Sequence, residues 1–310
     1  YLAETEKARR WLMPGLIPAG AKVLLSGQKK RARKTTLAMF TGIAASAGIG
    51  FGPWGKPEAP IPTLFVEEEG PPAATRTRLM AICKGLEVEP PSIMYFAHRN
   101  RVMLDERRWR AKLLWFVKEY GIKMMFLDAI VYMHSADENK VPEMAPVIDT
   151  ISTIAANDCT VVYLAHLDKT RGSDRNADPD DQVRGTGLLT DAYDAHMVSR
   201  RYDEADPVSL RFRWRDGGDG DNYVLRYTYD VDPMTGLLDT VRLVVDDPQG
   251  EIRRQREAAK SALVTERRYT SDELRIVWGY EDARRVRSMV AALLEEGFIR
   301  RADRGTYERV

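Results

Sequence analysis

Residues 21–40 read AKVLLSGQKKRARKTTLAMF, and the order of their chemistry decides the fold. A short apolar run, Val23, Leu24 and Leu25, ends in Ser26-Gly27. A basic loop follows, then Lys34-Thr35-Thr36 and an apolar-periodic segment. Strand, loop, Lys-Thr and helix in that order is the layout of a phosphate-binding P-loop. Backbone N–H groups of such a loop, together with the helix N-terminus, cradle phosphates. The Lys reaches the β/γ-phosphates and the Thr hydroxyl holds Mg²⁺. Gly27, Arg33, Lys34, Thr35 and Thr36 are therefore the candidate nucleotide-binding residues, with Thr35 a metal ligand.

The loop departs from G-x-x-x-x-G-K-[ST]. Arg33 occupies the second glycine position and Gln28 the first, and Gly27 sits one residue further upstream. Arg33 is expected in a backbone conformation that glycine tolerates better, at a cost of about 1 kcal/mol or more. Lys29, Lys30, Arg31 and Arg33 add positive charge where phosphates would sit. A solvated basic run, a nucleic-acid patch or a nuclear-localisation lookalike is the alternative reading of these four residues.

The 310 residues allow one large domain, or a large and a small one. The net charge of +1 says little about partners, because the basic residues are clustered rather than in excess. The two cysteines, Cys83 and Cys159, lie far apart without metal-ligand spacing and suit a reducing compartment. No secretory signal is visible, and the chain starts at Tyr1 rather than Met, which fits a missing N-terminal segment. The uncharged stretch Thr35–Gly55 is broken by glycines and Pro53, and reads as a buried helix and loop rather than a membrane span.

Strand-like and helix-like runs alternate. Strands are expected at Val23–Ser26, Thr63–Glu67, Ile93–Ala97, Lys123–Asp128 and Thr160–His166. Helices are expected at Thr35–Ala47, Ala73–Leu86, Asp105–Tyr120 and Pro142–Asn157. This alternation predicts an α/β fold, a mostly parallel sheet with helices on both faces. Met197–Tyr202, Ser209–Trp214, Tyr223–Val231 and Val241–Val245 read as an antiparallel extension of that sheet, with Gly217-Gly218 and Gly220 marking a turn. Asp247–Gly250 reads as a turn or linker between domains at 1–246 and 251–310. Helices at Ile252–Val264, Ser271–Val277 and Asp282–Glu296, then a hairpin at Phe298–Arg301 and Thr306–Val310, give a winged-helix layout. Thr270 with Glu273 three residues on fits a capping box.

Met124–Asp128 is an apolar strand ending in an acid, the position that holds Mg²⁺ in a P-loop protein. Thr63–Glu67 runs into Glu67-Glu68-Glu69, where a carboxylate could activate water or simply solvate a strand end. Thr160–His166 places His166 where it would face the γ-phosphate, though a lone histidine is more often structural. The loop Thr170–Val183 carries Arg171, Arg175, Asp174, Asp178, Asp180 and Asp181, and a polar loop of that length is functional or disordered. Arg211, Arg213 and Arg215 alternate along Ser209–Trp214, as the exposed face of an edge strand would. Arg284, Arg285 and Arg287 open the last helix, where a recognition helix meets the major groove, and Arg300, Arg301 and Arg304 lie in the wing. Protein docking and helix solvation are the alternatives for these arginines.

Together these segments resemble the RecA/DnaB superfamily and, within it, the RepA-like ATPases of plasmids and phages. The likeness rests on Ser26-Gly27…Lys34-Thr35-Thr36, Phe65–Glu69-Gly70-Pro71-Pro72…Arg78-Leu79, Leu127-Asp128…Ala136–Asn139, His166–Lys169 and Arg184–Gly187…Asp191. The lead-in Trp11-Leu12…Gly15–Pro18 is also similar, and the likeness spans roughly residues 9–230. It implies ATP and Mg²⁺ as ligands, with Lys34 on the β/γ-phosphates and Thr35 and Asp128 on the metal. It implies Glu69, nine residues before Arg78-Leu79, as water activator with Glu68 the near alternative, and His166 as nucleotide sensor. Arg213 and Arg215 become candidates for a finger inserted into a neighbouring subunit's site. The family implies a homo-oligomer, a hexameric ring in the cytoplasm of a bacterial or phage-infected host, with no membrane. Single-stranded DNA would pass the core and duplex DNA would meet the winged helix. The expected function is a DNA-acting motor, a replicative helicase or a related replication or recombination ATPase. A non-hydrolysing DNA-binding regulator with an altered P-loop and a metal-dependent structure-specific nuclease using Asp178 or Asp180 are the alternatives. The family often has two histidines where this chain has Ala165-His166.

Overall fold

The computed structural model describes residues 10–168, 180, 183, 187–201, 206–215, 219–247, 250–265, 267–280, 283–303 and 305–310. It divides into two compact units, Tyr1–Asp246 and Asp247–Val310. The first unit opens with β1 (Trp11–Met13) and β2 (Ile17–Pro18), a small hairpin. Then come β3 (Lys22–Gly27), α1 (Lys34–Ala47), β4 (Thr63–Glu67), α2 (Pro72–Gly85), β5 (Met94–His98) and α3 (Arg107–Glu119). They are followed by β6 (Met124–Asp128), α4 (Val141–Ala156), β7 (Thr160–His166), α5 (Leu188–Asp191) and β8 (Ala195–Arg200). β9 (Val208–Trp214), β10 (Asp219–Val231) and β11 (Leu238–Asp246) complete the unit.

Among the described residues the main sheet has nine strands in the order β11-β10-β9-β8-β3-β7-β6-β4-β5. β3, β4, β6 and β7 are buried along nearly their whole length. Near-continuous apolar runs of this kind follow from a parallel sheet covered on both faces. One face packs α1 and α2 around Phe40, Phe65, Phe126 and Ile82. The other packs α3 and α4 around Leu113, Val117, Ile151 and Tyr163. Helix α1 is buried on almost every side, which explains its Ala-rich sequence without an amphipathic stripe. No helix among the described residues is long and apolar enough to cross a membrane.

The parallel registers set Gly27 beside His166 on one side and Ser199 on the other, and Glu67 beside Asp128. The C-terminal ends of five strands thus meet along one rim, where open α/β sheets bind their ligands.

Two expectations need correction. The strand expected at Met197–Tyr202 is not part of the antiparallel extension: β8 runs parallel to β3, and antiparallel pairing begins at β9. Arg211, Arg213 and Arg215 are not on an edge strand, since β9 is paired on one side with β8 and on the other with β10. The hairpin β1–β2 and the strand β12 described below were not anticipated, because two- and three-residue strands carry no period to read.

The second unit contains α6 (Gly250–Ser261), β12 (Arg268–Thr270), α7 (Ser271–Val277), α8 (Ala283–Glu295), β13 (Ile299–Asp303) and β14 (Thr306–Arg309). Its core includes Leu263, Tyr269, Leu274, Val286, Leu293 and Ile299. Its sheet is antiparallel in the order β12-β14-β13. Thr270 and Glu273 close both bonds of the capping box at the start of α7.

Candidate functional site

The site grows from the turn between β3 and α1. Gly27 ends β3 where no side chain fits. An added Cβ would collide with the Ser199 carbonyl oxygen and lie 2.7 Å from Ala32 Cβ. Overpacking of that kind costs about 1–3 kcal/mol. Arg33 caps α1 with φ 55° and ψ 28°, the left-handed conformation the missing glycine foreshadowed. Its guanidinium lies 4.9 Å from the Tyr229 ring centre on β10. A cation–π contact is worth about 0.5–2 kcal/mol, enough to offset much of the backbone cost.

Lys34 follows, 6% exposed, and its Nζ donates to the Gly27 carbonyl at 2.8 Å and to the Gln28 carbonyl at 3.3 Å. The same Nζ lies 3.2 Å from His166 Nδ1, at the end of β7. Burial lowers the Lys34 ammonium to about 8, opposed by Asp128 and Glu69. Asp128 is also buried at the end of β6. Burial pushes its carboxyl up to about 6, a bond from the Thr35 hydroxyl works the other way, and Glu67 adds to the rise.

The three acids at the end of β4 have three different surroundings. Glu67 is buried, accepts the Thr75 hydroxyl from α2, and lies 3.9 Å from His98 Nδ1. Glu68 turns away: its carboxylate accepts the backbone N–H groups of Asn100, Arg101 and Val102 at 3.1–3.2 Å. Glu69 is partly exposed and faces Lys29 at 3.4 Å.

Gln28, Lys29, Lys30, Arg33, Lys34, Thr35, Thr36, Glu67, Glu69, Gly70, Arg78, Asp128 and His166 line one cavity of about 300 Å³. Small-molecule sites begin at about this size. The structure therefore gathers Arg33, Lys34, Thr35, Thr36, Glu69, Asp128 and His166 around one space. Gly27 lies under its floor, and Glu68 is not in the lining. Glu67 and Arg78 line the cavity without having been singled out for a role. Glu67 hides within a run of acids, and only its bond to Thr75, eight residues on, marks it as buried.

The donor set suits a nucleotide with a hard cation. The N-terminus of the 14-residue α1 carries no acid in its first turn and faces a cluster of basic side chains, a ready site for anions. The Thr35 hydroxyl and a buried carboxylate are oxygen ligands of the kind Mg²⁺ takes. A carboxyl pushed up by burial is one that a cation would relieve.

Arg213 Nη1 donates to Asp180 of its own chain at 2.7 Å, whereas Arg215 is 61% exposed and 3.9 Å from Asp194. In the second unit Arg284, Arg285 and Arg287 are exposed in the first turns of α8. Arg300 pairs with Glu308 at 2.7 Å, and Arg301 is exposed. Lys169, Arg171, Asp174, Arg175, Asp178, Asp181, Arg184, Gly185, Thr186, Gly217, Gly218 and Arg304 lie outside the described residues.

A family model for an AAA domain matches residues 2–172. Among solved structures, the chain is similar to the RadB recombinase at a TM-score of 0.50 and 16% identity, over 68% of this chain and 88% of that one. A KaiC-like protein from Pyrococcus horikoshii OT3 matches at a TM-score of 0.46 and 14% identity, over 76% of this chain and 98% of the other. The first likeness shows a RecA-like fold.

Proposed function

We propose that this chain, which belongs to the AAA-domain family and has a RecA-like fold, is an ATPase that works on DNA. One observation carries the reading. Lys34, Glu69, Asp128 and His166 come from four separate segments and converge on the N-terminus of α1. Lys34 would bind the β/γ-phosphates, and Thr35 and Asp128 would hold Mg²⁺, which supplies charge neutralisation to the transferring phosphoryl group. Glu69 would orient and deprotonate the attacking water. Glu68 is the weaker candidate because its oxygens are committed to the backbone of residues 100–102. His166, 3.2 Å from Lys34 Nζ, would register what occupies the phosphate position.

The DNA part of the reading rests on charge. The second unit, read as a winged helix, presents Arg284, Arg285 and Arg287 from α8 for groove contact, with Arg300 and Arg301 near phosphates. Single-stranded DNA would run past the core of a homo-oligomer, a hexameric ring being the form we propose. Arg215 is better placed than Arg213 to reach a neighbouring subunit, since Arg213 is tied to Asp180. A helicase or a related replication motor is the activity this arrangement serves best.

The direct test is ATP hydrolysis by the full chain, with and without single-stranded DNA. DNA-stimulated turnover supports a motor, and no turnover under any condition overturns the ATPase reading. For the second unit, replacing Arg284, Arg285 and Arg287 by Ala should weaken duplex binding. It should also reduce the slope of log affinity against log salt by about 1 for each phosphate that is no longer neutralised. An unchanged salt slope in a fluorescence-anisotropy titration would remove these arginines from the interface.

A further inference from the structure

Beneath the phosphate-binding loop lies a buried chain of hydrogen bonds that the ATPase chemistry does not use. Ser26 Oγ, the last side chain of β3, is 2.7 Å from His196 Nε2 on β8. His196 Nδ1 is 2.6 Å from Asp180 Oδ1. The other carboxylate oxygen of Asp180 accepts the Tyr193 hydroxyl at 2.9 Å and Arg213 Nη1 at 2.7 Å. Ser26 and His196 are fully buried.

The direction of the bonds follows from the groups. A carboxylate only accepts, so the His196 proton sits on Nδ1 and points to Asp180. Nε2 is left as an acceptor, and Ser26 donates to it. Burial lowers the His196 pKa from its ordinary value, against the pull of Asp180, and so favours the neutral ring that this pattern of bonds requires. The same three residue types form the nucleophilic triad of acyl-transfer enzymes. Here Ser26 is closed to any substrate, so the chain is a brace rather than a second active centre.

What it braces is specific. Ser26 precedes Gly27, whose carbonyl accepts Lys34 Nζ at 2.8 Å and the Leu167 amide at 3.2 Å. Three residues beyond His196, Ser199 donates to the carbonyl of Ala32 inside the loop at 2.5 Å. β8 therefore holds the phosphate-binding loop at its start and near its end. His166 at the end of β7 and Asp180 beyond it also tie to this region, His166 through Lys34 and Asp180 through His196 and Ser26.

We propose that His196 and Asp180 are positioning residues for the phosphate-binding loop, holding Ser26 and Gly27 so that Lys34 is correctly aimed. The inference rests on the ATPase reading. Misplacing reacting groups by about 1 Å can cost about 100-fold in rate, so a partial loss of aim should cost turnover before it costs the fold.

Steady-state ATP hydrolysis by the full chain is the test, with Ser26→Ala, His196→Asn, His196→Gln, Asp180→Asn and the double variant Ser26→Ala/His196→Asn. Asn places its amide near Nδ1 and keeps the Asp180 bond but not the Ser26 bond, whereas Gln reaches toward Ser26. Ser26→Ala and His196→Asn should each lower kcat about tenfold with KM for ATP changed less than about threefold. The double variant should fall no further than either single, because both remove one bond. His196→Gln, which restores the Ser26 bond without the Asp180 bond, should recover only part of the rate, and Asp180→Asn, which loosens the ring but leaves its Ser26 bond possible, should lose less than His196→Asn. Variants that melt at lower temperature but turn over like the wild type would overturn the proposal, as would multiplying effects in the double variant. Absence of hydrolysis by the wild type strikes the ATPase reading and this inference with it. Hydrolysis by the wild type with indifferent variants strikes this inference alone.

Discussion

Lys34→Ala is expected to reduce ATP turnover by about 10²–10³-fold, the usual cost of removing one charge-stabilising group from a water-poor site. Lys34 is the one lining cation whose amine is sequestered from water while still contacting the loop carbonyls and His166. In such surroundings its charge is screened far less than those of Lys29 and Lys30, which lie at the solvent-exposed mouth. Nucleotide affinity should fall as well, because the amine meets the phosphates in the ground state. Removing the side chain leaves the Gly27 and Gln28 carbonyls without this donor, at a cost of about 1–3 kcal/mol, partly offset by relief of a desolvated charge. The fold should therefore survive. A coupled ATPase assay beside a thermal melt checks both statements, and a folded variant with wild-type turnover would remove Lys34 from the chemistry.

Glu69→Gln should lower kcat by about 10²–10⁴-fold, the range for loss of a general base, while nucleotide affinity stays within a few-fold. Glu68→Ala is the informative contrast. Its carboxylate organises the backbone of residues 100–102, so its loss should reduce stability by about 1–3 kcal/mol with a smaller effect on turnover. Single-turnover kinetics with a fluorescent nucleotide separates binding from chemistry. The reverse pattern, with Glu68→Ala inactive and Glu69→Gln active, would exchange the two roles.

Much of this arrangement is legible in the sequence. Buried strands of the parallel half announce themselves as apolar runs, and the strand ends carry the polar residues that gather at the rim. Even the strain at Arg33 follows from counting back from Lys34 to the place of the absent glycine. The direction of β8 is not legible. A parallel partner for β3 requires a crossover, and the described helix between His166 and Ala195 is α5, only four residues long. Nothing in so short a segment has a helical period strong enough to predict a return to the same end of the sheet. The roles of Glu67 and His196 are hidden for a different reason. Each has a partner on another strand of the sheet: Glu67 has His98, and His196 has Ser26. Composition and spacing record neighbours along the chain, not those across a sheet.

The contact between Arg33 and Tyr229 has an evolutionary consequence. A glycine at the loop's end depends on nothing else in the chain, and every other position may drift without disturbing it. An arginine there leans on one aromatic ring nearly 200 residues away. Loss of the ring leaves the strained backbone unsupported, and reversion of the arginine alone leaves the ring without its partner. Losing the ring is therefore disfavoured while the arginine stays, so descendants of this chain that keep Arg33 should keep Tyr229 as well.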